Sequence, residues 1–244
     1  MDLTAEAINE LKESGIKPVE RLVSDGRGRV YGVDNNGRFD VLGGPEKALE
    51  LNTLSGMVDY IKSGLDLTEG SYLLQIVDET QVELKTGLVE GGRKILARST
   101  AIIPKLYFDT FLDTEKLNIA LQSNFEKTED RDILLQVVGN IRDNNVKTIG
   151  DDGVSQAVTI NQGVASAADV KVPNPVTLAP YRTFTEIYGQ PESEFIFRMQ
   201  EGPRGGLFEA DGGKWRHTAI ERIAFYLNDK LADLIEAKKI ILIA

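Results

Sequence analysis

Apolar positions recur along this chain with two periods, one helical and one strand-like. Leu54, Met57, Val58 and Ile61 share one face of a short helix over residues 53–63. Thr53 precedes it as an N-cap whose hydroxyl can accept an orphan backbone N–H. Ile133, Leu134, Val137, Val138 and Ile141 form the stripe of a second helix over 129–142, with Glu129 and Asp130 in the first turn, where the helix dipole favours acids. Ile220, Ile223, Leu227, Leu231 and Leu234 predict a long C-terminal helix over 214–238, closed by Lys238 and Lys239. Leu3, Ala7, Ile8 and Leu11 predict a helix over 3–13 that stops at Gly15. Residues 106–123 predict one or two short helices.

Period-two runs fill most of the remainder. Residues 21–24, 29–33 and 38–42 read as three strands joined by Asp25-Gly26 and Asn35-Asn36-Gly37, residues that accept positive φ in hairpin turns. Residues 72–77, 81–86 and 94–103 read as an antiparallel meander. Strands are further expected at 146–149, 156–160, 170–172, 182–188, 194–200 and 205–210. In the run from Arg182, Phe184, Glu186 and Tyr188 fall opposite Thr183, Thr185 and Ile187; Phe195 and Phe197 share a face. The Pro-rich stretch 173–180 reads as a connection, and 240–244 as a last strand or a loose end. Strands and helices come in blocks and not in βαβ alternation. The fold class expected is therefore α+β, mainly antiparallel, with flanking helices and a long C-terminal helix. A single domain spanning 1–244 is expected, with 1–47 a peripheral helix plus β-meander and 48–244 the main body.

Composition narrows the chemistry. The 244 residues contain no cysteine, which removes disulfides, thiolate metal sites and cysteine nucleophiles. His217 is the sole histidine, so a two-histidine metal motif is impossible and a Ser-His-Asp triad would need this residue. Ser155 lacks the flanking glycines of a hydrolase elbow. The net charge of -10 repels phosphate backbones at long range, so nucleic-acid binding would need a local basic patch or an assembly that gathers such patches. No apolar run approaches the length of a membrane span, and the acidic start Met1 to Glu6 lacks the apolar core of a secretion signal; a cytoplasmic location without membrane contact is expected.

The densest polar cluster is Asp151-Asp152-Gly153-Val154-Ser155-Gln156, which reads first as a turn and second as half of a metal site. A second cluster joins Glu209 and Asp211, on one strand face, to Gly212-Gly213 and Lys214; it reads first as a strand end opening a helix. Converging, the two clusters would hold a divalent ion through Asp151, Asp152, Glu209 and Asp211, with Lys214 or Arg182 on a phosphate. Asp78 with Glu83 and Lys85 faintly follows the acid and acid-x-lysine pattern of metal-dependent nucleases. Gly91-Gly92-Arg93-Lys94 and Gly202 to Gly206 read as Gly/basic turns able to bind anions, though neither is a nucleotide P-loop. Aromatics 181, 184, 188, 195 and 197 would stack bases between Arg182 and Arg198 if exposed, and are core otherwise.

Three blocks combine in a distinctive way: Phe108 to Leu112 with Leu121 to Phe125; Asp151 to Gln156; and Arg182 to Ile187 with Gln190-Pro191, Phe195 to Arg198 and Phe208 to Gly213. Together they resemble a phage- and prophage-encoded family of unknown function, the YfdQ-like family. The resemblance covers residues 54–234 and leaves 1–47 outside. It implies a phage origin and action in the cytoplasm of an infected bacterium, and it supplies no catalytic residue.

A chain so poor in reactive side chains is expected to be a non-catalytic accessory protein. It would act by binding and homo-oligomeric assembly, on nucleic-acid processes or on host defence by sequestering a host protein or small ligand. The residues expected to contact a ligand are Asp151, Asp152, Gln156, Arg182, Glu186, Arg198, Glu209, Asp211 and Lys214. No cofactor is expected under this reading. The alternatives are a Mg²⁺- or Mn²⁺-dependent phosphodiesterase or nucleotide hydrolase, and a virion or shell component.

Overall fold

A computed structural model describes residues 22–24, 30–33, 39–42, 47–67, 70–88, 92–140, 146–151, 156–161, 167–200 and 204–244. The helix expected over 3–13 lies outside these residues, as does Asp152. The chain divides into two compact units, Met1–Lys47 and Ala48–Ala244. In the first, β1 (Leu22–Ser24), β2 (Val30–Val33) and β3 (Phe39–Leu42) form an antiparallel sheet in that order.

The second unit opens with β4 (Leu49–Leu51) and α1 (Leu54–Ser63). The Thr53 hydroxyl accepts the Gly56 N–H at 3.0 Å, and Gly64 closes the helix in the left-handed conformation (φ 68°) that glycine adopts without strain. The meander follows as β5 (Tyr72–Asp78), β6 (Gln81–Lys85) and β7 (Ile95–Thr100). Next come β8 (Thr110–Asp113), α2 (Thr114–Ser123), α3 (Glu129–Asn140), β9 (Val146–Asp151), β10 (Gln156–Asn161), β11 (Ala167–Lys171) and β12 (Val176–Leu178). The chain ends with β13 (Ser193–Gln200), β14 (Arg204–Glu209), α4 (Trp215–Lys230), α5 (Ala232–Glu236) and β15 (Ile240–Ile243).

Helices and sheets are present in the segregated order of an α+β chain. The expectation of a mainly antiparallel sheet needs correction. The five-stranded sheet, ordered β15-β5-β6-β7-β4, is mixed, because its two outer pairs, β15 with β5 and β4 with β7, are parallel. Parallel neighbours require a crossover, and both are distant in sequence from the strand they join. A four-stranded sheet, β12-β13-β14-β8, and a three-stranded sheet, β11-β10-β9, are antiparallel.

The long C-terminal helix is also corrected. The apolar stripe continues past Lys230, but the helix breaks at Leu231 (φ -116°, ψ 17°), which is itself buried, and resumes as the single turn of α5. Lys238, with φ 54°, then turns the chain so that β15 can lie beside β5. A straight helix would advance about 1.5 Å per residue away from that edge.

Among the described residues, two hydrophobic cores form in this unit. The first packs Leu54, Met57 and Ile61 of α1 and Ile223 and Leu227 of α4 on Tyr72, Leu74, Val82, Leu84 and Ala97 of the five-stranded sheet. The second packs Leu117 and Leu121 of α2 and Leu134, Val137 and Val138 of α3 against Val176, Leu178, Phe195, Phe197 and Leu207. The segment 181–192 links them. It was expected to begin with a strand, yet it runs as turns, and Phe184 and Ile187 both enter the first core while Tyr188 stands in solvent. Alternation fails here because, among the described residues, no strand pairs with this segment to impose a pleat.

Candidate functional site

The residues that the sequence singles out around Arg182 do meet. They form a polar knot at the end of the β13–β14 hairpin. Glu209 is opposite Phe195 in the hairpin register, so both point to the same side of the sheet. There Arg182 donates from Nη1 to Glu209 Oε1 at 2.8 Å. Its guanidinium lies 3.7 Å from the centre of the Trp215 ring and 5.7 Å from that of Phe195. Arg182 is 3% exposed, and its Nε and Nη2 atoms and the Trp215 Nε1 atom make no hydrogen bond among the described residues. Burial pushes the Arg182 guanidinium down to about 10, against the pull of Glu209 and Asp211.

Asp211 builds the start of α4. One carboxylate oxygen accepts from the Gly213 N–H at 2.9 Å; the other accepts from the Ser193 hydroxyl at 2.6 Å and the Trp215 N–H at 3.3 Å. Gly212 and Gly213 take φ of 64° and 81°, so the tight turn requires glycine there. Burial pushes the Asp211 carboxyl up, but those three bonds and the nearby Arg182 outweigh it and hold it below the usual range. Lys214 is exposed, and its side chain makes no capping bond.

Other expected ligand residues lie apart from this knot or serve the fold. Glu186 accepts from the Ser55 N–H at 3.2 Å and the Ser55 hydroxyl at 3.3 Å, satisfying the first turn of α1. Arg198 lies on β13, opposite Gly206 and on the face away from Phe195 and Phe197. Asp151 and Gln156 are register partners at the ends of β9 and β10, while Asp152 lies outside the described residues. Among the described residues no group of three or more histidines or acids is arranged to hold a metal ion. Glu209 and Asp211 are committed to Arg182, Ser193 and backbone N–H groups.

The remaining motifs resolve similarly. Asp78 accepts from the Thr80 N–H and hydroxyl, making its own turn. Glu83 is 5% exposed and is held by Lys85 at 2.9 Å and Arg98 at 2.8 Å. Burial acts to raise its carboxyl, and those two cations more than reverse the effect. Arg204-Gly205-Gly206, expected in a Gly/basic turn, is strand β14 instead. A Cβ on Gly206 would lie 2.8 Å from the Thr110 carbonyl oxygen, so glycine is needed for β14 to approach β8. Phe184, Phe195 and Phe197 are core and not a stacking platform.

Sequence reasoning missed Ser193, Gln190 and Thr183. Gln190 accepts the Arg182 N–H at 3.2 Å and donates to the Phe184 carbonyl at 3.3 Å; the Thr183 hydroxyl donates to the Glu79 carbonyl. Ser193 was open to discovery from the hairpin. Once Phe195 is registered with Glu209, Ser193 falls opposite Asp211. No family model, curated protein or solved structure matches the chain. Among the described residues no helix is long and apolar enough to cross a membrane.

Proposed function

We propose that this chain is a phage-encoded accessory protein acting in the bacterial cytoplasm by binding and homo-oligomeric assembly, on nucleic-acid processes or host defence. The phage assignment rests on the sequence resemblance. The contact mode is supported by how the fold distributes its side chains. The polar groups of greatest chemical interest are spent on one another in the Arg182 knot. Meanwhile large apolar side chains stand in solvent on the five-stranded sheet, with Ile241 48%, Ile243 49% and Val77 42% exposed.

The observation that carries the reading is this exposed apolar stripe. Light scattering on the full chain at micromolar concentration tests it. The expected result is a mass of at least two chains of 26.9 kDa each; a clean monomer overturns the reading.

A further inference from the structure

We infer that the chain pairs with a second copy of itself through the free edge of β15, antiparallel about a two-fold axis, joining two five-stranded sheets into one. The inference rests on the self-assembly reading and names its surface. β15 ends the order β15-β5-β6-β7-β4, so among the described residues no strand pairs with its outer edge. Its four residues, Ile240 to Ile243, include no charge, proline or glycine, the usual devices that block edge pairing. The opposite edge differs in carrying a charge: the exposed Glu50 of β4 is tied to Arg98 at 3.2 Å.

The side chains agree with the backbone. The register runs Ile243–Gln75–Glu83–Arg98–Glu50 straight across the sheet, which places Ile243 and its neighbour-but-one Ile241 on the face opposite the helix-covered core. Both isoleucines are about half exposed there in the single chain.

Charge selects a second copy as the occupant. At a net charge of -10, two copies repel over most of their surfaces. On this face the charged side chains Glu50, Glu83, Lys85 and Arg98 cancel and are ion-paired with one another. The exposed Lys238 and Lys239 that lead into β15 fall at opposite ends of an antiparallel pair, so like charges do not meet there and copies approach with little repulsion. A two-fold axis normal to the sheet keeps outer face with outer face. With Ile241 of one copy opposite Ile243 of the other, both outward isoleucines of each copy are covered in a closed, isologous contact.

Sedimentation equilibrium on the full chain and its variants tests this. The expected result is a dimer for the wild type and a dissociation constant raised roughly tenfold or more in Ile241→Lys and Ile243→Lys, with unchanged circular dichroism. The chain has no cysteine, so a variant carrying both Ile241→Cys and Ile243→Cys, which places a cysteine of one copy opposite a cysteine of the other, provides a second measurement. It should cross-link between copies under mild oxidation faster than Ile119→Cys on α2. A dimer unmoved by both lysine variants, with no preferential cross-linking, overturns the edge pairing and leaves self-assembly standing. A monomeric wild type overturns both.

Discussion

Arg182 is a cation withdrawn from water at the seam between two cores, and its stability depends on its partners. A buried charge left without its counter-ion costs about 3 kcal/mol or more, whereas replacing both members by apolar groups of similar size is far milder. Glu209→Leu should therefore lower unfolding stability by about 3 kcal/mol, and Arg182→Met combined with Glu209→Leu should recover a large part of that loss. Urea titration followed by the fluorescence of Trp215, the one tryptophan, reads both. A double variant no more stable than Glu209→Leu would show that the pair is not coupled. Asp211 and Glu83 add a pH dependence. Both carboxyls sit below their ordinary values in the folded chain, so the unfolded chain binds more protons as the pH falls. Their contribution is complete above about pH 4.5 and is lost as the pH drops through the lower folded values. Unfolding stability measured from pH 6 downward should decline in that window, and the slope should be shallower in Asp211→Asn.

Elements in this fold are held by contacts between segments far apart in sequence. The β14–β8 pair depends on Gly206, because an added Cβ meets the Thr110 carbonyl of the neighbouring strand and neither backbone can yield cheaply. Gly206→Ala should cost about 2 kcal/mol by thermal unfolding, while a substitution at Gly64, where the left-handed φ and not space is limiting, should cost less. The start of α1 is served by Thr53 from its own chain neighbourhood and by Glu186 from the loop that links the two cores. Glu186→Gln should weaken the helix by roughly 0.5 kcal/mol, seen as faster hydrogen exchange in the first turn of α1. The strands missed by pattern alone, β4, β8 and β12, span three or four residues each, too few to display a period.

At the scale of the whole molecule, the five-stranded sheet has helices on one side and an apolar, charge-balanced strip on the other. Self-association should persist in high salt, since its contact is apolar and its charges are already paired; sedimentation at low and high ionic strength checks this, and dissociation by salt would point to a charged interface instead. Periodicity by itself determined α1, α3 and the β5–β6–β7 meander, because each carries a long enough apolar stripe or a strong turn. Composition determined the lack of thiol chemistry. Tertiary structure decided the rest. It made the outer pairs of the sheet parallel, broke the last helix at Leu231, turned 181–192 into a bridge between cores, and brought Ser193 to Asp211 and Arg182 to Trp215. These features depend on which distant segments share a sheet and which end of a strand another loop can reach, and local hydrophobic patterning specifies a face without specifying its partner.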